Sequence, residues 1–191
     1  MFALTDAEKR CLLVLARREI ASRLKPGSAH GAPPEGIDSE NLSQPCGCFV
    51  TLHKDGNLRG CIGSIEPTGP LASCVRQNAV NSAFSDPRFP PLSADELDRV
   101  DIEISVLTPP KVLVYTSADD LKAKLVPGVH GVILTRGAHR STFLPQVWRQ
   151  LPDTETFLAH LCTKAGLSAQ CWKDPKLTVK TYTALYFSER S

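Results

Sequence analysis

Long apolar runs are missing from this chain of 191 residues. No segment approaches the roughly 18 uninterrupted apolar residues of a membrane span, so no membrane partner is expected. A strong charge of one sign is missing too. Lys and Arg number 22 against 20 Asp and Glu, a net charge of +2 with His neutral. That is too small for a general nucleic-acid or membrane-surface footprint, and no nucleic-acid partner is expected. The seven cysteines are odd in number and lack paired spacing. Phe2 to Leu24 is studded with Asp6, Glu8, Lys9, Arg10, Arg17, Arg18 and Glu19, and does not read as a secretory signal. Reduced thiols and a cytoplasmic location are therefore expected. There is no sequence repeat and no low-complexity tract.

What remains is an ordinary globular composition, 42% hydrophobic and 22% charged, long enough for one large domain or two small lobes. Thr5 to Leu24 reads as an amphipathic helix, with Thr5 as N-cap and Glu8 completing a capping box. Ser28 to Gln44 holds three Pro or Gly clusters and reads as an exposed loop. Cys48–Leu52 and Leu58–Ile62 read as a hairpin around Lys54-Asp55-Gly56. Gly69-Pro70 opens a helix over Leu71–Phe84. Asp86-Pro87-Arg88-Phe89-Pro90-Pro91 must be a rigid turn. Ser93–Leu97 is a short capped helix, and Val100–Leu107 alternates as a strand. Ser117–Leu125, Pro145–Gln150 and Thr154–Ala165 read as helices. Val129–Thr135 and Ser141–Leu144 read as a second hairpin, and Leu177–Phe187 as one closing strand. Hairpins mixed with helices, without regular βαβ alternation, favour an α+β class.

Leu58-Arg59-Gly60-Cys61-Ile62-Gly63 concentrates the chemistry. A permanent cation and a thiol flank one glycine, in a strand where glycine marks a bulge or a close approach. A three-residue loop with Gly56 left-handed sets Thr51 opposite Arg59 and Phe49 opposite Cys61. Cys48, Val50, Leu52, Leu58 and Ile62 then share a core face. Phe49, Thr51, His53, Arg59 and Cys61 share the other. Arg59 could grip a carboxylate or phosphate and favour the Cys61 thiolate. It could equally pair with an acid such as Glu103, with Cys61 as a small packed residue. Glu103 is a candidate general acid or base, or else a solvated strand carboxylate. Arg88 could meet an anion or pair with Asp86. Spacing does not select a histidine partner for Cys61 among His53, His130 and His139. Cys46 and Cys48 with His53 suggest zinc only weakly, because no second pair stands at ligand spacing; no metal site is expected. Cys162 and Cys171 read as packing residues. Asn78 and Asn81 read as satisfying backbone within a helix.

Several segments, in order, resemble the blocks of the AMMECR domain family. They are Phe49–Leu52, Leu58–Gly63, Glu66-Pro67, Asn78-Ala79, Asp86–Phe89, Ile102–Pro110, Phe143–Trp148, Phe157-Leu158, Lys164–Leu167 and Trp172. The resemblance implies one domain over 1–191, α+β, with a mixed and largely antiparallel sheet and flanking helices. It implies two lobes with a cleft between them, bordered by Arg59–Gly63. The larger lobe would come mainly from the N-terminal part and the closing strand. Arg59, Gly60, Cys61 and Gly63 carry over directly, while Glu66, Asp86, Arg88 and Glu103 match block positions. Prokaryotic members look like protein A of the AmmeMemoRadiSam system, which implies Memo-like and radical-SAM proteins as partners. The resemblance names neither a reaction nor a cofactor.

Two readings follow. In the first, a cleft enzyme or ligand-binding protein takes an anionic small molecule or a modified side chain. Cys61 and Glu103 are then the catalytic candidates, and Arg59, Gly60, Gly63 and Arg88 the ligand-binding ones. In the second, the chain is a non-catalytic scaffold or substrate-presenting partner. It has no four-cysteine set, no Cys-x-x-x-Cys-x-x-Cys and no Gly-rich phosphate loop, so it does not itself seat the usual radical-SAM cluster or a nucleotide by a familiar motif.

Overall fold

The computed structural model describes residues 3–25 and 34–190. The chain separates into two units, Met1–Leu107 with Leu185–Ser191, and Thr108–Ala184.

The first unit begins with helix α1 (Asp6–Leu24). Its predicted capping box is present: Thr5 and Glu8 satisfy each other's backbone amides. Glu8 also accepts hydrogen bonds from Ser39 and Asn41, beside the short helix α2 (Glu40–Ser43). These bonds, Ser39 first, push the Glu8 carboxyl down to about 2 against the opposing effect of burial. Residues 34–44 are thus tied to α1, with Leu42 buried, rather than forming the exposed loop expected from Ser28 to Gln44. Residues 28–33 of that expectation lie outside the described residues.

Strands β1 (Gly47–Lys54), β2 (Asn57–Ser64) and β3 (Val100–Leu107), with β8 (Ala184–Ser188), form a sheet of order β2-β1-β3-β8. Val50, Leu52, Ile102, Ile104 and Val106 are buried in one core with Leu12, Leu15, Ala16 and Ile20 of α1. Leu71, Val75 and Ala79 of α3 (Leu71–Phe84) complete that core. Alternation at period 2 in the strands and near 3.6 in the helices puts these apolar side chains on facing surfaces.

The second unit holds β4 (Lys111–Val112), β5 (Gly131–Arg136), β6 (His139–Phe143) and β7 (Thr178–Tyr182), in the order β4-β7-β5-β6. Helices α4 (Ala118–Lys124) and α5 (Thr154–Lys164) accompany this sheet. Leu121, Val132, Leu134, Phe157, Leu161, Trp172 and Val179 belong to its core. Trp148 stacks on Phe157 at 3.6 Å between ring centroids, and its indole N–H donates to the His130 carbonyl at 2.7 Å.

The α+β class therefore holds, with two antiparallel-paired sheets in place of one. The expected closing strand Leu177–Phe187 is two strands. It breaks at Thr183, and its halves β7 and β8 join different sheets. At the break, the Thr183 amide donates to the Thr108 hydroxyl at 2.9 Å and the Thr108 amide donates to the Thr183 carbonyl at 3.0 Å. These bonds take backbone groups that would otherwise continue a ladder.

Candidate functional site

The β1–β2 hairpin turns on two residues rather than three. Asp55 and Gly56 have φ of 52° and 81°, the left-handed pair that a type I′ turn requires and that Asp-Gly supplies readily. Lys54 faces Asn57 and His53 faces Leu58; then the register shifts, so that Leu52 faces Gly60 and Thr51 faces Cys61. Arg59 is the extra residue of a β-bulge. This corrects the expected register, which set Thr51 against Arg59. Leu58 moves off the core face and is 43% exposed, whereas Arg59 is only 8% exposed. Beyond the bulge the two-residue offset restores the face, and Cys61 stays on the side of Phe49 and Thr51.

The buried guanidinium is engaged within the fold. Arg59 Nε donates to Glu96 Oε1 at 3.0 Å and Nη2 donates to Oε2 at 2.9 Å, a two-pronged pair. Lys54 Nζ joins the same carboxylate at 2.8 Å. Glu96 also closes the capping box of the 3-10 helix Ala94–Arg99 by accepting from the Ser93 amide at 3.1 Å. Arg59 first, then Lys54 and the Ser93 amide, hold the Glu96 carboxyl well below the usual carboxylate range despite its burial. The acid partner of Arg59 is thus Glu96, not Glu103.

A second ion pair holds Cys61 from the turn after α3. Asp86, buried, accepts the Cys61 amide at 2.9 Å and two guanidinium bonds from Arg88, at 2.9 and 2.7 Å. Arg88, with the Cys61 and Arg88 amides, keeps the Asp86 carboxyl well below its ordinary range. The Arg88 side chain is still 53% exposed. The Phe89 ring is close to both cations, 5.9 Å from Arg59 and 5.4 Å from Arg88.

On the sheet, Thr51 faces Cys61 on one side and Glu103 on the other. Cys61, Thr51 and Glu103 therefore form one row on one face of β2, β1 and β3. The Thr51 hydroxyl donates to the Cys61 sulfur at 3.3 Å. Glu103 lies two strand spacings from Cys61, about 10 Å across the sheet. At that separation its carboxylate is out of hydrogen-bond reach of the thiol.

The two glycines have packing reasons. A Cβ at Gly60 would overlap the Ser82 carbonyl of α3, and one at Gly63 would overlap the Cys48 carbonyl and the Phe49 ring. Cys11, Cys46, Cys48 and Cys74 are buried, while Cys61 is half-buried. Burial pushes the Cys48 thiol up to about 12 and raises those of Cys11 and Cys46. Of the histidines, His130 accepts the Val126 amide at 3.1 Å and has its pKa lowered by burial. His139 meets the Ala165 carbonyl at 2.9 Å. No hydrogen bond joins a histidine to Cys61 among the described residues. No group of three or more His, Cys, Asp or Glu among them could hold a metal. Cys162 and Cys171 form a disulfide, which corrects the expectation that all seven thiols are reduced. They stand nine residues apart, yet the turn after α5 brings their Cα atoms to 5.9 Å, within bridging range.

The family described as AMMECR1 matches residues 13–187. The chain belongs to the AMMECR1 family. It is 42% identical over 187 residues to a protein of Methanothermobacter thermautotrophicus, covering 97% of this chain and 96% of that one. Protein NEQ441 of Nanoarchaeum equitans is 38% identical, with 93% and 98% covered. The crystal structure of the uncharacterized protein PH0010 from Pyrococcus horikoshii aligns with a TM-score of 0.77 at 38% identity, covering 94% of this chain and 90% of that one.

Two of the segments that carry the resemblance to the AMMECR1 family, Leu58–Gly63 and Asp86–Phe89, are the ones joined by the Asp86–Cys61 bond. Sequence reasoning missed Thr51 and Glu96 as members of the site. Thr51 had a signal in its shared face with Cys61. Glu96 was concealed by its second job as a capping residue. Among the described residues no helix is long and apolar enough to cross a membrane.

Proposed function

We propose that the Cys61 row binds and acts on an anionic small molecule or a modified side chain of a partner. Cys61 is the reacting group, the Thr51 hydroxyl orients its sulfur, and Arg88 supplies the accessible cation. Glu103 moves a proton on the bound molecule. Arg59 is a positioning residue in this reading. Its pair with Glu96 fixes the bulge, while Gly60 and Gly63 let β2 lie close to its neighbours. The observation that carries the reading is the half-buried thiol. Among the five free cysteines it alone is not buried, and it is held at both its amide and its sulfur.

Alkylation of the folded protein by iodoacetamide, with peptide mapping, tests this. Cys61 should label at least about tenfold faster than Cys11, Cys46, Cys48 and Cys74, as expected of an accessible thiol among packed ones. Protection of Cys61 until the chain unfolds would exclude it as a nucleophile.

A second reading has its own support, because both Arg59 and Arg88 bind carboxylates of the fold. Here the hairpin is a rigid surface presented to Memo-like and radical-SAM proteins, and Cys61→Ser leaves that binding unchanged. Loss of binding in Cys61→Ser would count against the scaffold.

A further inference from the structure

The two edges of the second unit's sheet differ in what closes them. At the β6 edge the Thr142 carbonyl accepts the Lys164 ammonium at 3.0 Å. The β2 edge of the first unit is closed in the same way, by Asp86 and Arg88 on the Cys61 amide and carbonyl. At the β4 edge no further strand follows. Lys111 and Leu113 turn their backbone groups toward β7, where the Leu113 amide donates to the Val179 carbonyl at 2.9 Å. Antiparallel pairing alternates, so the Val112 amide and carbonyl and the Val114 amide point away from the sheet. Among the described residues these three groups have no hydrogen-bond partner, while the Val114 carbonyl accepts from Lys124 Nζ at 2.9 Å.

The side chains of this edge are open as well. Leu113 and Tyr115 pack against the core of the unit, which leaves Val112 and Val114 on the other side. They are 59% and 76% exposed, the highest values of any large hydrophobic residue described. Valine favours strands because its branched side chain packs on a half-covered pleat, and here nothing covers it. An uncharged, unblocked edge of this kind is a template for another strand.

Charge says what that strand is. Thr108–Ala184 holds ten Lys and Arg against five Asp and Glu, a net charge of +5 with His neutral, whereas the whole chain has +2. All five acids are engaged. Asp119 and Glu155 meet Lys122, Asp120 meets Lys124, Asp174 meets Arg136, and Asp153 caps α5. Lys111 on β4, and Lys180 opposite Val112, have no ion-pair partner among the described residues. A second copy of this edge would bring like charges together, whereas an acidic segment is matched to it.

We propose that β4 is a docking edge for an extended, acidic segment of a partner polypeptide, which adds to the sheet as its fifth strand. The backbone of the segment pairs with Val112 and the Val114 amide. Its apolar side chains pack on the two valines, and its carboxylates lie on the side of Lys111.

The probe is the capped peptide Val-Glu-Val-Glu-Val. Its controls are the same peptide with Lys for Glu, and the same peptide N-methylated throughout. In a nitrogen–proton correlation spectrum of the full chain, the Val112 and Val114 amide signals should shift saturably with the probe, at a dissociation constant of about 1 mM or below. The N-methylated peptide has no donor for the Val112 carbonyl and should bind at least about tenfold more weakly. The lysine peptide should bind about fivefold more weakly, and Lys111→Glu, which changes an exposed side chain, should reverse that order. No shift of either amide at about 10 mM probe would overturn the proposal. Equal binding of the N-methylated peptide, or a preference for glutamate that Lys111→Glu leaves unchanged, would overturn it as well. Shifts of these amides on raising the protein concentration alone would overturn it in favour of a second copy of the chain.

Discussion

The two hairpins of this protein differ in how they treat charge. In β5–β6 the ladder is regular, from Val132 opposite Phe143 to Arg136 opposite His139, across the turn Gly137-Ala138. Arg136 at its end is 44% exposed in its side chain. In β1–β2 an equally tight turn is followed by a bulge, and the extra residue is an arginine whose side chain is only 10% exposed. A charge removed from water needs a partner of matching shape, and Glu96 provides it. Both hairpins pair an arginine with a carboxylate far along the chain, Arg59 with Glu96 and Arg136 with Asp174, but only in the first is the cation largely removed from water. A separate bond, from the Cys61 amide to Asp86, joins the Asp86–Phe89 turn to the same strand.

Breaking the pair should separate the hairpins most sharply. Glu96→Ala leaves Arg59 buried without its carboxylate and should destabilise the first unit by about 3–5 kcal/mol in chemical unfolding. Arg136→Ala, at the exposed end of the second hairpin, should cost at most about 1 kcal/mol. Similar losses for the two variants would mean that the bulge does not depend on its ion pair. Gly60→Ala should follow, at about 1–3 kcal/mol, because the added methyl meets the backbone of α3 rather than a side chain that can swing away. Gly137→Ala provides the contrast. Gly137 has φ of 58° and no atom near its missing Cβ, so only backbone strain of about 1 kcal/mol is expected.

Acid should act on the first hairpin through Asp86 and Glu96. Both carboxyls are depressed below their unfolded values of about 4. Their stabilisation is complete above about pH 5 and is lost progressively as pH falls toward their folded values. Urea midpoints should therefore drop between about pH 5 and pH 2, and less steeply in Glu96→Gln, which has one such group fewer. A parallel fall in wild type and variant would assign the acid sensitivity elsewhere. The smallest effect on stability should come from Thr51→Val, which removes the hydroxyl from the Cys61 sulfur. About 1 kcal/mol or less of stability is expected to be lost, while the rate of Cys61 alkylation changes measurably. An unchanged rate would reduce Thr51 to a packing residue.

Much of the architecture was legible in the chain because its signals are local. The Thr5–Glu8 capping box, the 3.6-residue periods of α1 and α5, the Pro and Gly stops and the alternation of β3 each act over a few residues. They identified the elements and the α+β class, and the Arg-Gly-Cys-Ile-Gly block pointed to the family. The hairpin register was misread because Asp55-Gly56 allows a two-residue turn as well as a three-residue loop. The choice between them depends on where Arg59 can be neutralised. The break at Thr183 escaped detection because both halves of 177–187 read equally well as strand, and only their partner sheets divide them.

The sequence by itself thus determined where the longer helices and strands lie, where the thiol and the cations fall along the chain, and to which family the chain belongs. Tertiary structure alone decided that Glu96 answers Arg59, that Asp86 holds the Cys61 amide, and that Cys162 meets Cys171. The reason is physical. Propensity and capping are set by neighbours within a turn or two. Burial, charge pairing and disulfide reach depend on distances between segments remote in sequence, and those distances exist only once the sheets and helices have packed.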